Sequence, residues 1–300
     1  MRILIIGSQG FIGQYLISEL SKHNECFGAD IVNTVNLQNY YFLDKNNPNY
    51  FELFSKNEFD VCINASGSAN VGYSIKEPLI DCELNFYNVE KMLLAISRTQ
   101  KSCTYILLSS AAVYGNPKQL PIKEDSKLNS VSPYGFHKSC AEEACIMYSN
   151  IYGLKTFVLR LFSVYGIGQK KLLLWDLVNK FVKNDVVQLF GTGKESRDFI
   201  NVLDVVNIIE ILINQSNLKS CILNVANGEQ VEIQTVAEIV KKSLGLEKDI
   251  LFTGETREGD PLNWEADITK LKNLGYTKQI SIGQGIEEYV NWAKSEIEVN

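Results

Sequence analysis

Residues 2–13 constrain the fold more than any other stretch. Arg2-Ile3-Leu4-Ile5-Ile6 is a short continuous apolar run, as expected of a strand buried on both faces of a parallel sheet. It breaks at Gly7-Ser8-Gln9-Gly10-Phe11-Ile12-Gly13, and an amphipathic helix is predicted from there to about Lys22. Strand, glycine-rich turn and helix in that order let the chain turn sharply and approach a pyrophosphate, which sits on the helix N-terminus. The spacing G-x-x-G-x-x-G is a variant of the dinucleotide fingerprint.

The rest of the N-terminal half keeps that rhythm. Cys26 to Ala29 reads as a second strand ending in Asp30. An acid there can accept hydrogen bonds from ribose hydroxyls and repel a 2′-phosphate, which favours NAD over NADP. A strand-end turn is the plainer role for the same side chain. Residues 31–58 are less regular, with Phe42-Leu43-Asp44 as a short third strand. Phe59 to Asn64 is a fourth, ending in the small residues Ala65-Ser66-Gly67-Ser68. A long helix is predicted over 81–100 with Asn85 near its start. Thr104 to Leu108 is a fifth strand, running into Ser109-Ser110-Ala111-Ala112-Val113-Tyr114-Gly115, and Lys155 to Leu161 a sixth. Alternating strands and helices imply a right-handed, doubly wound parallel sheet, with ligands beyond the carboxyl ends of its strands.

After Gly166 the rhythm breaks. An apolar stretch (Leu172 to Val182), a strand (Val186 to Phe190) and a glycine turn (191–193) precede a helix from Asp204 to Asn214 and a returning strand, Ile222 to Val225. A helix from Thr235 to Leu244 closes at Gly245, and a last one is predicted near Ile286–Lys294. The expected fold is α/β: a Rossmann-type domain over 1–166, with 201–226 returning to it. A smaller C-terminal α/β substrate domain takes 167–200 and 227–300.

The segment Ser132-Pro133-Tyr134-Gly135-Phe136-His137-Lys138 carries the chemistry. Pro133 suits the first turn of a helix, and Ser132 its N-cap. Tyr134 and Lys138 are four apart, so both reach one pocket. A tyrosine with an ammonium beside it, which favours the phenolate, is a proton donor and acceptor for carbonyl–alcohol interconversion. Ser110, 24 residues earlier at a strand end, is placed to join it.

Composition excludes other classes. The net charge of −6 and the lack of a basic run argue against nucleic-acid binding, so an anionic substrate must be held by a few arginines and backbone amides. Seven scattered cysteines without a C-x-x-C pair are expected to be free and reduced. Two histidines cannot build a His-rich metal site. No apolar run approaches 18 residues and no signal-peptide pattern opens the chain, so no membrane span and a cytoplasmic location are expected.

Taken together, these segments resemble an extended short-chain dehydrogenase/reductase of the nucleotide-sugar epimerase/dehydratase/reductase type. GSQGFIG resembles its cofactor turn, and LSSAAVYG and SPYGFHK its two catalytic segments. RLFSVYG, GTGKESRDFINVLDVV, LNVANG and REGDP resemble its substrate-domain signatures, in the same order. The resemblance implies that Ser110 and Tyr134 hydrogen-bond the sugar C4 oxygen while hydride passes between C4 and the nicotinamide. Lys138 would hold the nicotinamide ribose. Gly7, Gly10, Phe11, Ile12 and Gly13 would cradle the pyrophosphate, Asp30 the ribose and Asp44 the adenine. Ala65, Ser66, Gly67 and Asn85 would line the cofactor trough, with Phe162 near the nicotinamide. Arg197 and Arg257 would clamp the diphosphate and nucleoside of a nucleoside-diphosphate sugar, Gln188 and Phe190 would border its base, and Ser163 would stand where many members place a phosphate-binding Asn. His137 is read as a bystander, and Tyr114 and Tyr165 as wall or core.

Ala111 and Ala112 stand where 4,6-dehydratases of this type carry Asp-Glu, so dehydration is disfavoured. Two chemistries remain. A 4-ketoreductase is favoured by the short chain and the compact KKLLLWDLVNK segment; an NAD-retaining 4-epimerase is the alternative. A non-catalytic sensor on the same fold would be expected to lack the Ser/Tyr/Lys set. A homodimer through the helices near 81–100 and 133–152 is a further implication of the resemblance.

Overall fold

A computed structural model describes residues 1–33, 38–255 and 262–298. The chain opens with Arg2–Ile6 (β1), Phe11–Leu20 (α1), Glu25–Asp30 (β2) and Tyr40–Phe42 (β3). Tyr50–Lys56 (α2) and Val61–Asn64 (β4) follow, then Val71–Lys76 (α3) and Pro78–Cys82 (α4). A π turn, Glu83–Tyr87, runs from α4 into Asn88–Thr99 (α5). Thr104–Ser110 (β5) ends in a 3-10 turn, Ala111–Tyr114, before Pro133–Tyr152 (α6) and Thr156–Leu161 (β6). The C-terminal half contains Ser163–Tyr165 (β7), Leu172–Lys183 (α7), Val186–Leu189 (β8), Ser196–Arg197 (β9) and Phe199–Asn201 (β10). Val202–Ile213 (α8), Cys221–Val225 (β11), Val231–Glu232 (β12) and Ile233–Leu244 (α9) come next. Asp249–Phe252 (β13), Thr269–Asn273 (α10) and Ile282–Glu298 (α11) complete it.

Seven strands form one parallel sheet in the order β11-β6-β5-β4-β1-β2-β3. The strand order reverses between β1 and β4, so the loops after these two strands open into one crevice. Alternate residues of each strand leave on opposite faces. Ile3, Ile5, Ile63 and Ile106 enter one apolar core under α1 and α8. Leu4, Ile6, Cys62 and Leu107 enter a second with residues of α2, α5 and α6. This two-sided burial is why β1 reads as a continuous apolar run. A third core, including Leu177, Phe181, Val187, Val240, Tyr289 and Val290, gathers α7, α9 and α11. β8 pairs with β13 beside it.

Helix α6 begins as its sequence requires. Ser132 accepts the Gly135 N–H at 3.2 Å, Pro133 fills the first turn, and Gly153 ends the helix in the left-handed conformation.

Several elements differ from expectation. The third strand is Tyr40–Phe42, two residues early, because Gly28, Ala29 and Asp30 of β2 pair with Tyr40, Tyr41 and Phe42. Helices α2 and α3 were not expected; α2 is a short element that buries only Tyr50, Leu53 and Phe54, too few positions to show a period. The helix expected over 81–100 starts at Pro78 and carries a π turn at its middle. Among the described residues no helix is long and apolar enough to cross a membrane. All seven cysteines are free.

Candidate active site

Ser110, Tyr134 and Lys138 come together at the carboxyl end of β5. Ser110 caps the 3-10 turn, its Oγ accepting the Ala112 N–H at 3.2 Å, and a hydrogen bond joins it to Tyr134. Gly135 makes this approach possible: a Cβ there would lie 2.5 Å from the Ala112 carbonyl oxygen. The first turn of α6 therefore rests directly on the turn that carries Ser110. One helical turn on, Lys138 is buried and its Nζ donates to the Leu108 carbonyl at 3.0 Å.

The electrostatics correct one expectation. Burial pushes the Tyr134 phenol up to about 12; the Ser110 hydrogen bond works the other way and the Asp81 charge adds to the rise. Burial brings the Lys138 ammonium down to about 8, against the pull of Asp81 and Glu142. The expected lowering of the tyrosine by its lysine does not occur, because loss of solvation and the Asp81 charge together outweigh the Ser110 hydrogen bond.

Behind Lys138 stands a buried ion pair. Arg160 on β6 donates to both oxygens of Glu142 on α6, at 2.7–3.1 Å, and to the Tyr114 hydroxyl at 2.8 Å. Ser109 donates to the same carboxylate. Tyr114 is the core residue expected, and so is Tyr165. His137 is not a bystander: its Nδ1 lies 2.7 Å from Oδ2 of the fully buried Asp81.

The glycine turn fits a dinucleotide. A Cβ on Gly7 would lie 2.7 Å from the Ser66 nitrogen, and one on Gly13 2.1 Å from the Gly7 carbonyl oxygen. Gly10 is the N-cap of α1 and no side chain caps that helix, so Phe11, Ile12 and Gly13 present first-turn amides suited to a pyrophosphate. Asp30 ends β2 as expected. One oxygen accepts the Gln9 N–H at 2.8 Å and the other the Ile31 and Val32 N–H groups, so the side chain also braces the turn. Asp44 is exposed and accepts the Asn46 N–H at 2.9 Å.

Across the crevice, Ala65 and Ser66 pack against Gly7. Ser66 is held by Asn64 through its N–H (3.0 Å) and hydroxyl (2.6 Å). Asn85, buried in the π turn, holds the Gly67–Ser68 loop: its Nδ2 donates to the Ser68 carbonyl at 3.1 Å and its Oδ1 accepts the Ser68 N–H at 3.3 Å.

The substrate-side residues are more dispersed. Phe162 is buried and packs edge-on against Trp264, with ring centroids 5.8 Å apart. Arg197 lies over the other partner of that contact, 5.8 Å from the Trp264 ring, and donates to the Ser196 and Leu262 carbonyls. Trp264 in turn donates to the Gly115 carbonyl at 3.0 Å, tying Arg197 and Phe162 to the turn after Ser110. Ser163 begins β7, its N–H bonded to the Asp198 carbonyl at 2.9 Å. Gln188 and Phe190 are exposed and line a cleft with Thr253 and Glu255. Arg257 lies outside the described residues.

Sequence reasoning missed Asp81, Glu142, Arg160 and Trp264. Glu142 had a signal, being four residues after Lys138 on the same helix. Asp81 and His137 are 56 residues apart, and only the packing of α4 on α6 joins them.

A family model described as the NAD dependent epimerase/dehydratase family matches residues 3–226. The chain is 28% identical to the UDP-glucose 4-epimerase of Lactobacillus helveticus over 98% of both chains. It is 27% identical to the CDP-paratose 2-epimerase of Salmonella typhi over 98% of this chain and 100% of that one. The solved UDP-glucuronic acid 4-epimerase of Bacillus cereus, in complex with UDP-glucuronic acid and NAD, shares the fold with a TM-score of 0.89 at 24% identity, covering 99% and 100% of the two chains. With the glycine turn, the parallel sheet and the Ser-Tyr-Lys cluster in place, and with three-quarters of its length matching that model, the chain belongs to the NAD-dependent epimerase/dehydratase family.

Proposed function

We propose that the protein is a nucleoside-diphosphate-hexose 4-epimerase that keeps its NAD through the reaction. The observation that carries the reading is the hydrogen bond between Ser110 and the buried Tyr134, with Lys138 one turn away on the same helix. Tyr134 accepts the proton of the sugar 4-hydroxyl and later returns one to the same oxygen, while Ser110 hydrogen-bonds that oxygen and fixes its position. Bound NAD would supply the hydride acceptor at C4 and the donor that restores it. Gly7, Gly10, Phe11, Ile12 and Gly13 would hold its pyrophosphate, Asp30 its ribose and Asp44 its adenine. Ala65, Ser66, Gly67, Asn85, Lys138 and Phe162 would surround its nicotinamide end. Ser163, Gln188, Phe190, Arg197 and Arg257 would bind the nucleoside diphosphate.

Epimerisation is preferred to the 4-keto reduction favoured on sequence grounds. The three full-length relatives described above are named epimerases, two of them at C4. Chain length and the Lys170–Lys180 segment carry no chemistry of their own. Ala111 and Ala112, in the turn after Ser110, hold no acid–base group with which to expel water.

The purified protein, incubated with UDP-glucose, UDP-N-acetylglucosamine or UDP-glucuronic acid and no added cofactor, should convert at least one of them to its C4 epimer. Tyr134→Phe should slow this by about 10²-fold or more while NAD remains bound. Full turnover by Tyr134→Phe would remove the assignment. We also infer a homodimer, supported by apolar side chains left exposed on adjoining helices: Leu79 at 84%, Tyr87 at 52% and Phe136 at 58%.

A further inference from the structure

Asp81 is fully buried, and its two oxygens serve different partners. Oδ2 lies 2.7 Å from His137 Nδ1, and Oδ1 accepts from Asn85 Nδ2 at 2.9 Å. A carboxylate only accepts, so the imidazole proton sits on Nδ1 and His137 donates. Asn85 continues the line, bonding both the carbonyl and the N–H of Ser68. It also abuts Gly67, where a Cβ would lie 2.5 Å from Asn85 Oδ1. An unbroken run of side chains thus links the helix of Tyr134 and Lys138 to the loop after β4. Asp81 and Asn85 are four apart, and the π turn between α4 and α5 carries Asn85 inward.

We propose that His137 and Asp81 are positioning residues that set the separation between the Tyr134–Lys138 helix and the Gly67–Ser68 loop. The inference rests on the reading that these two walls hold the sugar and the nicotinamide end of NAD. A displacement of about 1 Å between them is enough to cost about 10²-fold in rate. Asp81 has a second effect: its charge bears on both Tyr134 and Lys138, and His137 keeps that charge hydrogen-bonded.

The test uses the full chain with His137→Asn, His137→Leu and Asp81→Asn. Asparagine keeps an N–H donor near the position of Nδ1; leucine fills the space without one. NAD affinity by titration calorimetry, hydrogen exchange at the 65–68 amides, and kcat and KM for the sugar are measured on each. His137→Leu is expected to weaken NAD binding about 10-fold, speed exchange in the loop, and lower kcat about 10²-fold with KM changed less than about 3-fold. His137→Asn should recover NAD affinity to within about 3-fold of the parent. Parent-like NAD affinity and loop exchange in His137→Leu would overturn the proposal, and so would equal losses in the Asn and Leu variants. If His137→Leu does not fold, Asp81→Asn decides: weaker NAD binding in a folded protein supports the linkage, and unchanged binding overturns it. Tyr134→Phe in parallel separates the two readings, since its survival as an active enzyme would count against the chemistry and leave the binding and exchange results standing.

Discussion

Lys138 is an ammonium held out of water, and its main partner is a backbone carbonyl. Burial brings it down to about 8. Between that value and the ordinary lysine range, the unfolded chain holds a proton that the native protein has released, so stability rises with pH across that window. Below about 8 the native state carries the full cost of the buried charge. Lys138→Met should therefore raise cofactor-free stability at pH 7 by up to about 3 kcal/mol, an advantage that fades towards pH 10. The same variant should lose turnover by about 10²-fold or more. Urea unfolding at three pH values, beside the assay, checks both signs; a variant less stable than the parent at pH 7 would contradict the account. Tyr134 illustrates the limit of reasoning from spacing. The four-residue interval placed the two side chains correctly, but the direction of the phenol shift depends on solvent exclusion, which spacing does not encode.

Helix α6 is the element on which the site is built. One of its faces carries Tyr134, Lys138 and Glu142, a ladder legible in the sequence as far as Lys138. Its partners come from distant strands and helices, and for that reason were not legible: Arg160 from β6, Ser109 from β5 and Asp81 from α4. A buried ion pair is weak evidence for stability, but breaking one side of it leaves an uncompensated charge. Arg160→Met should cost about 3–5 kcal/mol in denaturant unfolding, whereas the double change Arg160→Met with Glu142→Leu should recover much of that loss. Additive losses in the double variant would show that the pair acts through packing alone. The cap Ser132 and the Pro133 start were readable directly, because each answers a local backbone requirement. The π turn was not, since an amphipathic pattern persists through it on either side.

At the scale of the molecule, the alternating apolar runs were sufficient to foresee a parallel sheet, and the returning strand at 221–225 pairs with β6 within it. What the pattern could not show is that the glycine turn and the Ala65–Ser66 loop meet at backbone contact distance where the strand order reverses. The C-terminal half was harder to read. Its strands are two to five residues long, and Trp264 and Asn116 are among the side chains that tie it to the segment after Ser110. The exposed apolar strip on α4, the adjoining π turn and α6 is the basis of the proposed homodimer. Light scattering at micromolar concentration should give the mass of a dimer, and Leu79→Glu with Phe136→Glu should give a monomer; a monomeric parent would remove the inference.

The central claim is that hydrogen leaves C4 of the sugar and returns to it without exchanging with solvent. The direct measurement is its fate in UDP-glucose labelled with deuterium at C4, supplied without cofactor, or in the UDP-hexose found to be the better substrate. The account predicts the C4 epimer with deuterium retained at C4 and no net formation of reduced nicotinamide. No epimer from any UDP-hexose, together with stoichiometric consumption of added NADH by a 4-keto-6-deoxy sugar nucleotide, would contradict it and establish reduction in its place.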